Sequence, residues 1–95
     1  MPNLGKIYIV DDTPTNLQIL ADYLLELGFE VFVAMDGEQA IEQVTQSCPD
    51  LILLDVMMPG IDGFETCRRL KAMDGTKGIP VIFMTALSET VDKIK

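Results

Sequence analysis

Histidine is missing from the sequence, and the two cysteines, Cys48 and Cys67, have no metal-ligand spacing between them. A structural zinc centre is therefore excluded, because it draws several ligands from those two residue types. Both cysteines read as small apolar residues in or near a core. Basic residues are scarce: seven Lys and Arg stand against fifteen Asp and Glu, for a net charge of −8. Such a surface repels phosphate backbones, so no nucleic-acid contact is expected from this piece. Arg68, Arg69 and Lys71 form the one basic cluster, which on a helix reads as a solvated face. Long apolar runs are absent too. Leu51 to Leu54 is far too short to cross a bilayer. The opening residues, Met1 to Lys6, lack the basic-then-apolar layout of a signal peptide, so a cytoplasmic protein without membrane contact is expected. Neither GxGxxG nor GxxxxGK[ST] occurs, which removes the common phosphate-cradling loops of nucleotide sites.

Apolar residues, by contrast, are plentiful. At 48 % of 95 residues they suffice for one packed domain spanning residues 1–95. Strand-like and helix-like segments alternate throughout. Lys6 to Val10 is β-branched and nearly all apolar, as for a strand buried on both faces. Thr13 then reads as an N-cap, with Pro14 at the first helical position. Leu17, Leu20, Ala21 and Leu24 recur at helical spacing until Gly28 supplies a stop. Glu30 to Ala34 alternates more and suits an edge strand. Asp36 caps a helix carrying Ala40, Ile41 and Val44, which ends before Pro49. Leu51 to Leu54 is a third strand. Asp62 with Glu65 resembles a capping box, opening a helix with Phe64, Cys67 and Leu70 on one side. Ile79 to Met84 is a fourth strand, and Ser88 begins a last helix. Strands separated by helices run parallel, and right-handed crossovers cover both faces. The expected fold is a doubly wound α/β sheet.

In such a sheet, ligands bind beyond the carboxyl ends of the strands, where strand order reverses. The residues that follow each strand therefore locate the site. Strand one ends in Asp11-Asp12, strand three in Asp55 and strand four in Thr85, whereas strand two ends in the unreactive Ala34-Met35. Carboxylates about 4 Å apart repel by roughly 4 kcal/mol per pair at an effective dielectric near 20. No Lys or His lies in these loops to offset that. A hard divalent cation would, and magnesium favours one or two carboxylates completed by water and phosphate oxygens. Asp55 follows four apolar residues, so its stem is packed while its carboxylate emerges at the rim. Proline at position 59 keeps Met58 out of the helical region, so Val56 to Gly60 form a loop. A carboxylate held this way can act as a nucleophile toward phosphorus.

These residues resemble the receiver domains of two-component response regulators. The resemblance rests on Ile9-Val10-Asp11-Asp12 with Asn16 and Leu20, on Asp50 through Gly63, and on Ile79 through Ala86. In order and at suitable separations, these pieces cover essentially the whole chain. The resemblance implies a flavodoxin-like sheet with strand order 2-1-3-4. It implies that Asp55 is the phosphoacceptor, served by a histidine kinase or a histidine phosphotransfer protein. It also implies that Asp11, Asp12, Asp55 and the backbone carbonyl of Met57 hold Mg2+. Thr85 would be the switch hydroxyl, and Ala86 the small neighbour that leaves it room.

One departure from the family pattern stands out. Receivers carry a lysine after a fifth strand, and the sequence ends first; Lys93 and Lys95 do not match that position. With a fifth strand and helix missing, phosphorylation is expected to be impaired, and the fourth strand and one sheet face are expected to be open to self-association. Two other readings compete. A phosphorylation-independent interaction or dimerisation module needs no lysine. An aspartyl-phosphate phosphohydrolase needs a second acid near the nucleophile, and that loop offers none between Asp55 and Asp62. The signalling reading, a phosphoacceptor rather than an enzyme, is the expectation carried forward.

Overall fold

A computed structural model describes residues 4–84 of the chain. The helix expected from Ser88 onward lies outside the described residues. Seven elements follow one another: β1 (Lys6–Val10), α1 (Pro14–Leu27), β2 (Glu30–Ala34), α2 (Gly37–Gln46), β3 (Leu51–Asp55), α3 (Gly63–Lys71) and β4 (Val81–Met84). The four strands are all parallel, in the order β2-β1-β3-β4. The chain runs outward from β1 to β2, then crosses back over β1 to β3. Strand order therefore reverses between β1 and β3.

The period-two alternation of β1 builds both faces of the sheet. Ile7 and Ile9 point toward α1 and pack with Leu17, Leu20, Ala21 and Leu24. Tyr8 and Val10 point the other way, into a core shared with Ala40 and Val44 of α2, Ile52 and Leu54 of β3, and Leu70 of α3. Helices thus cover both faces, as expected of a doubly wound sheet. Gly28 ends α1 with φ of 104°, a left-handed conformation that glycine adopts without steric penalty, and its N–H returns to Leu25 O. Helices α2 and α3 stand side by side. Gly37, at the start of α2, is buried where a Cβ would collide with Thr66 Oγ1 and with Ile61.

Several local expectations change. Thr13 occupies the N-cap position of α1, but its hydroxyl makes no capping bond. The fourth strand begins at Val81 rather than Ile79. Ile79 belongs to the preceding turn, its N–H donating to Thr76 O, and Pro80 has no N–H to offer a ladder. The Pro80 carbonyl still accepts from Ile52 N–H at 3.0 Å. Phe64 is 58 % exposed rather than packed beneath α3, because its ring tilts against Phe83 of β4, with centroids 5.0 Å apart. Cys67 packs beside the core, whereas Cys48 is exposed, just beyond the end of α2. The capping box at α3 is half formed. Asp62 accepts from Glu65 N–H at 2.8 Å, while the Glu65 carboxylate turns to Arg68 and Arg69.

Candidate functional site

The reversal between β1 and β3 brings the expected carboxylates together. Asp11 continues β1 by one residue, its N–H donating to Ala34 O at 3.1 Å, and Asp55 is the last residue of β3. One carboxylate oxygen from each of Asp11, Asp12 and Asp55 falls within a group whose members all lie within 4.8 Å of one another. Asp11 and Asp55 are each only 5 % exposed, and Asp12 is half-buried. At 4.8 Å and an effective dielectric near 20, two full charges repel by ~3–4 kcal/mol. That energy needs a counter-charge.

Neighbouring groups fix the direction of these acids. Asp11 Oδ1 accepts from Thr13 N–H at 2.9 Å, and its Oδ2 accepts from the Asn16 side-chain amide at 3.3 Å. Thr13 thus serves the site through its backbone instead of capping α1 through its hydroxyl. Asp55 Oδ1 accepts from Met57 N–H at 3.2 Å. Burial pushes the Asp55 carboxyl up from 3.8 to about 6. The Met57 N–H opposes that rise, and the charges of Asp11 and Asp12 and a hydrogen bond with Asp11 add to it.

The β3–α3 loop is pinned close to Asp55. Gly63 N–H donates to Val56 O at 2.9 Å, and a Cβ on Gly63 would run into the Asp55 carbonyl. Gly60 takes φ of 77° at the tip of the loop. An open groove of about 730 Å3 lies alongside, lined by Asp12, Val56, Met57, Pro59 and Phe64 among others. Met57 is 56 % exposed at its mouth.

The donor set consists of oxygens alone. It suits a hard divalent ion and offers nothing to a soft one. Sequence reasoning placed Asp11, Asp12 and Asp55 together, and the structure does so. Thr85 and Ala86 lie outside the described residues. Two supporting residues were missed in their roles: Asn16, which orients Asp11, and Gly63, which lets the loop close on Asp55. Asn16 and Gly63 had drawn notice only as members of the segments that carry the family resemblance.

Comparison with known proteins agrees with this geometry. The family described as response regulator receiver domain matches residues 7–95. Response regulator PleD of Caulobacter vibrioides is 46 % identical over 91 residues, which is 96 % of this chain and 20 % of PleD. The chain therefore spans about a fifth of that relative's length. Among solved structures, the N-terminal domain of a response regulator receiver protein from Methanoculleus marisnigri superposes with a TM-score of 0.85 at 34 % identity, covering 95 % of this chain and 76 % of that one. Response regulator protein TrrA from Thermotoga maritima, solved in complex with Mg2+-BeF, gives a TM-score of 0.82 at 32 % identity, covering 96 % of this chain and 77 % of that one. With its parallel 2-1-3-4 sheet and a rim of three aspartates between the two central strands, the chain belongs to the response regulator receiver domain family.

Proposed function

We propose that this chain, read as one receiver unit over residues 1–95, accepts a phosphoryl group on Asp55 within a two-component phosphorelay. The donor is a histidine kinase or a histidine phosphotransfer protein. The observation that carries this reading is the convergence of Asp11, Asp12 and Asp55 within 4.8 Å at the reversal point of the sheet.

Asp11, Asp12, Asp55 and the backbone carbonyl of Met57 are the groups we assign to Mg2+, all of them hard oxygen donors. The bound ion supplies positive charge against both the clustered acids and the incoming phosphoryl oxygens. Thr13 and Asn16 hold Asp11 in one orientation beside Asp55. The Met57 N–H occupies Asp55 Oδ1 and leaves the other oxygen for attack. In the transfer, that oxygen forms the new O–P bond while the P–N bond of the donor phosphohistidine breaks, and the leaving imidazole takes up a proton from solvent. The protein's share of the work is placement and charge, as in phosphoryl transfer generally. Thr85 is the hydroxyl we assign to the phosphoryl oxygens, with Ala86 beside it. The outcome is a switched surface rather than turnover of a substrate. We place the protein in the cytoplasm on the strength of its family and its proposed phosphoryl donor.

Incubation with a small phosphodonor and Mg2+, followed by peptide mapping, tests the assignment. Modification confined to the peptide bearing Asp55, and lost on chelation, is expected. Modification of another residue with Asp55 untouched overturns it.

A further inference from the structure

A second groove, of about 510 Å3, opens between α2 and α3 and shares no residue with the carboxylate site. Ile41 and Met73 form its floor, Glu38 and Glu42 stand on the α2 wall, and Arg68 and Arg69 stand on the α3 wall. Opposite charges thus face each other across one groove, yet they do not pair. Among the described residues, the ion pairs within 4.0 Å are Glu65 with Arg68 and Arg69, and Lys77 with Asp74. Glu65 holds Arg68 Nη2 at 2.6 Å and Arg69 Nε at 2.8 Å. One carboxylate cannot neutralise two guanidiniums, so the α3 wall keeps a net positive charge. It also keeps unused N–H donors, since each guanidinium offers five.

The pattern identifies its own complement. Helices α2 and α3 each return the chain across a parallel sheet, so they run in the same direction. Turning a second copy by half a rotation about the long axis of the groove lays its α3 over the first copy's α2, and its α2 over the first copy's α3. The acidic wall of each copy then meets the basic wall of the other, and the two apolar floors close on each other. A two-fold axis set across the groove would instead stack like charges. A partner of unrelated sequence would need the same two stripes in mirrored order. We propose that the α2–α3 groove docks a second copy of this chain in parallel two-fold pairing, with Glu38 and Glu42 of each copy facing Arg68 and Arg69 of the other. The surface is small, which places the dimer among weak, rapidly exchanging complexes.

Complementation by charge swap tests this. Sedimentation of the full chain up to roughly 1 mM should show a concentration-dependent dimer. The double variant Glu38→Lys/Glu42→Lys should weaken self-association by on the order of tenfold or more, as should Arg68→Glu/Arg69→Glu. The first swap lowers the net negative charge, so a loss of dimer there cannot come from overall repulsion. An equimolar mixture of the two variants should restore association as a heterodimer. Circular dichroism checks that each variant is folded. If a swap unfolds the chain, the neutral pairs Glu38→Gln/Glu42→Gln and Arg68→Gln/Arg69→Gln replace it, and each should weaken the dimer. The proposal is overturned by a wild-type chain that stays monomeric throughout, by variants that dimerise as well as wild type, or by a mixture of folded swapped variants that fails to associate.

Discussion

Replacing Asp55 with Asn should make the metal-free protein more stable at neutral pH, even though it removes the proposed phosphoacceptor. The Asn side chain keeps an oxygen to accept the Met57 N–H and removes the charge that Asp11 and Asp12 oppose. In the folded chain the Asp55 carboxyl titrates near 6, against 3.8 for the unfolded residue. A carboxyl whose folded value is raised binds its proton more tightly when folded. Its favourable contribution is therefore complete below pH 3.8 and is lost as pH rises through about 6. At 1.36 kcal/mol per pH unit, the ionised group disfavours the folded state by ~3 kcal/mol at pH 7.5. Asp12 is half-buried and an open groove lies alongside, so water and ions reach the edge of the cluster, and their screening lowers the usable figure to ~2 kcal/mol. For a chain of this size that corresponds to about 10 °C in melting temperature. Thermal melts of wild type and Asp55→Asn, in chelator, at pH 4.5 and pH 7.5 supply the measurement. The gap between the two proteins should be small at the lower pH and open toward 10 °C at the higher, and Mg2+ should close it by stabilising wild type alone. An Asn variant no more stable than wild type at pH 7.5 in chelator would refute both the electrostatic reading and the cause assigned to the raised carboxyl.

Three further substitutions probe the supports around the site. Asn16→Ala removes the amide that orients Asp11 and should weaken Mg2+ binding by about 10–100-fold in a calorimetric titration, the usual effect of losing a ligand's hydrogen-bond partner, with little change in metal-free stability. Gly63→Ala forces a methyl group against the Asp55 carbonyl and should destabilise the fold by about 1–3 kcal/mol in denaturant melts, while also lowering Mg2+ affinity because the loop must shift. Met57 is apolar and exposed at the mouth of the site; Met57→Gln, which can orient an attacking water, should speed the decay of phosphoryl-Asp55 after donor removal, measured by phosphate-affinity electrophoresis.

How much of this was readable from residues alone depends on where each feature gets its determinants. The convergence of Asp11, Asp12 and Asp55 was legible because it needs only topology. Parallel strands deliver their carboxyl ends to one rim, so whatever follows each strand must meet its neighbours there. Strand order came from resemblance, since alternation of helix and strand leaves the order within the sheet open. Features that depend on a distant neighbour were not legible. Phe64 has helical spacing with Leu70, and nothing local reveals that Phe83, nineteen residues on, draws its ring to the surface. Thr13 carries the right side chain for a cap, but Asp11 takes its N–H and the hydroxyl makes no bond to the helix. Asn16 and Gly63 show the same limit from the opposite side, since one is an ordinary helix residue and the other an ordinary helix start until Asp11 and the Asp55 carbonyl are placed beside them. Residues that carry charge to the rim can therefore be named by register, whereas residues that aim or restrain that charge are set by contacts between elements. The aiming residues are the sharper test of the site. A bare acidic cluster would survive their loss unchanged, whereas a built phosphoryl site would lose metal affinity with each one.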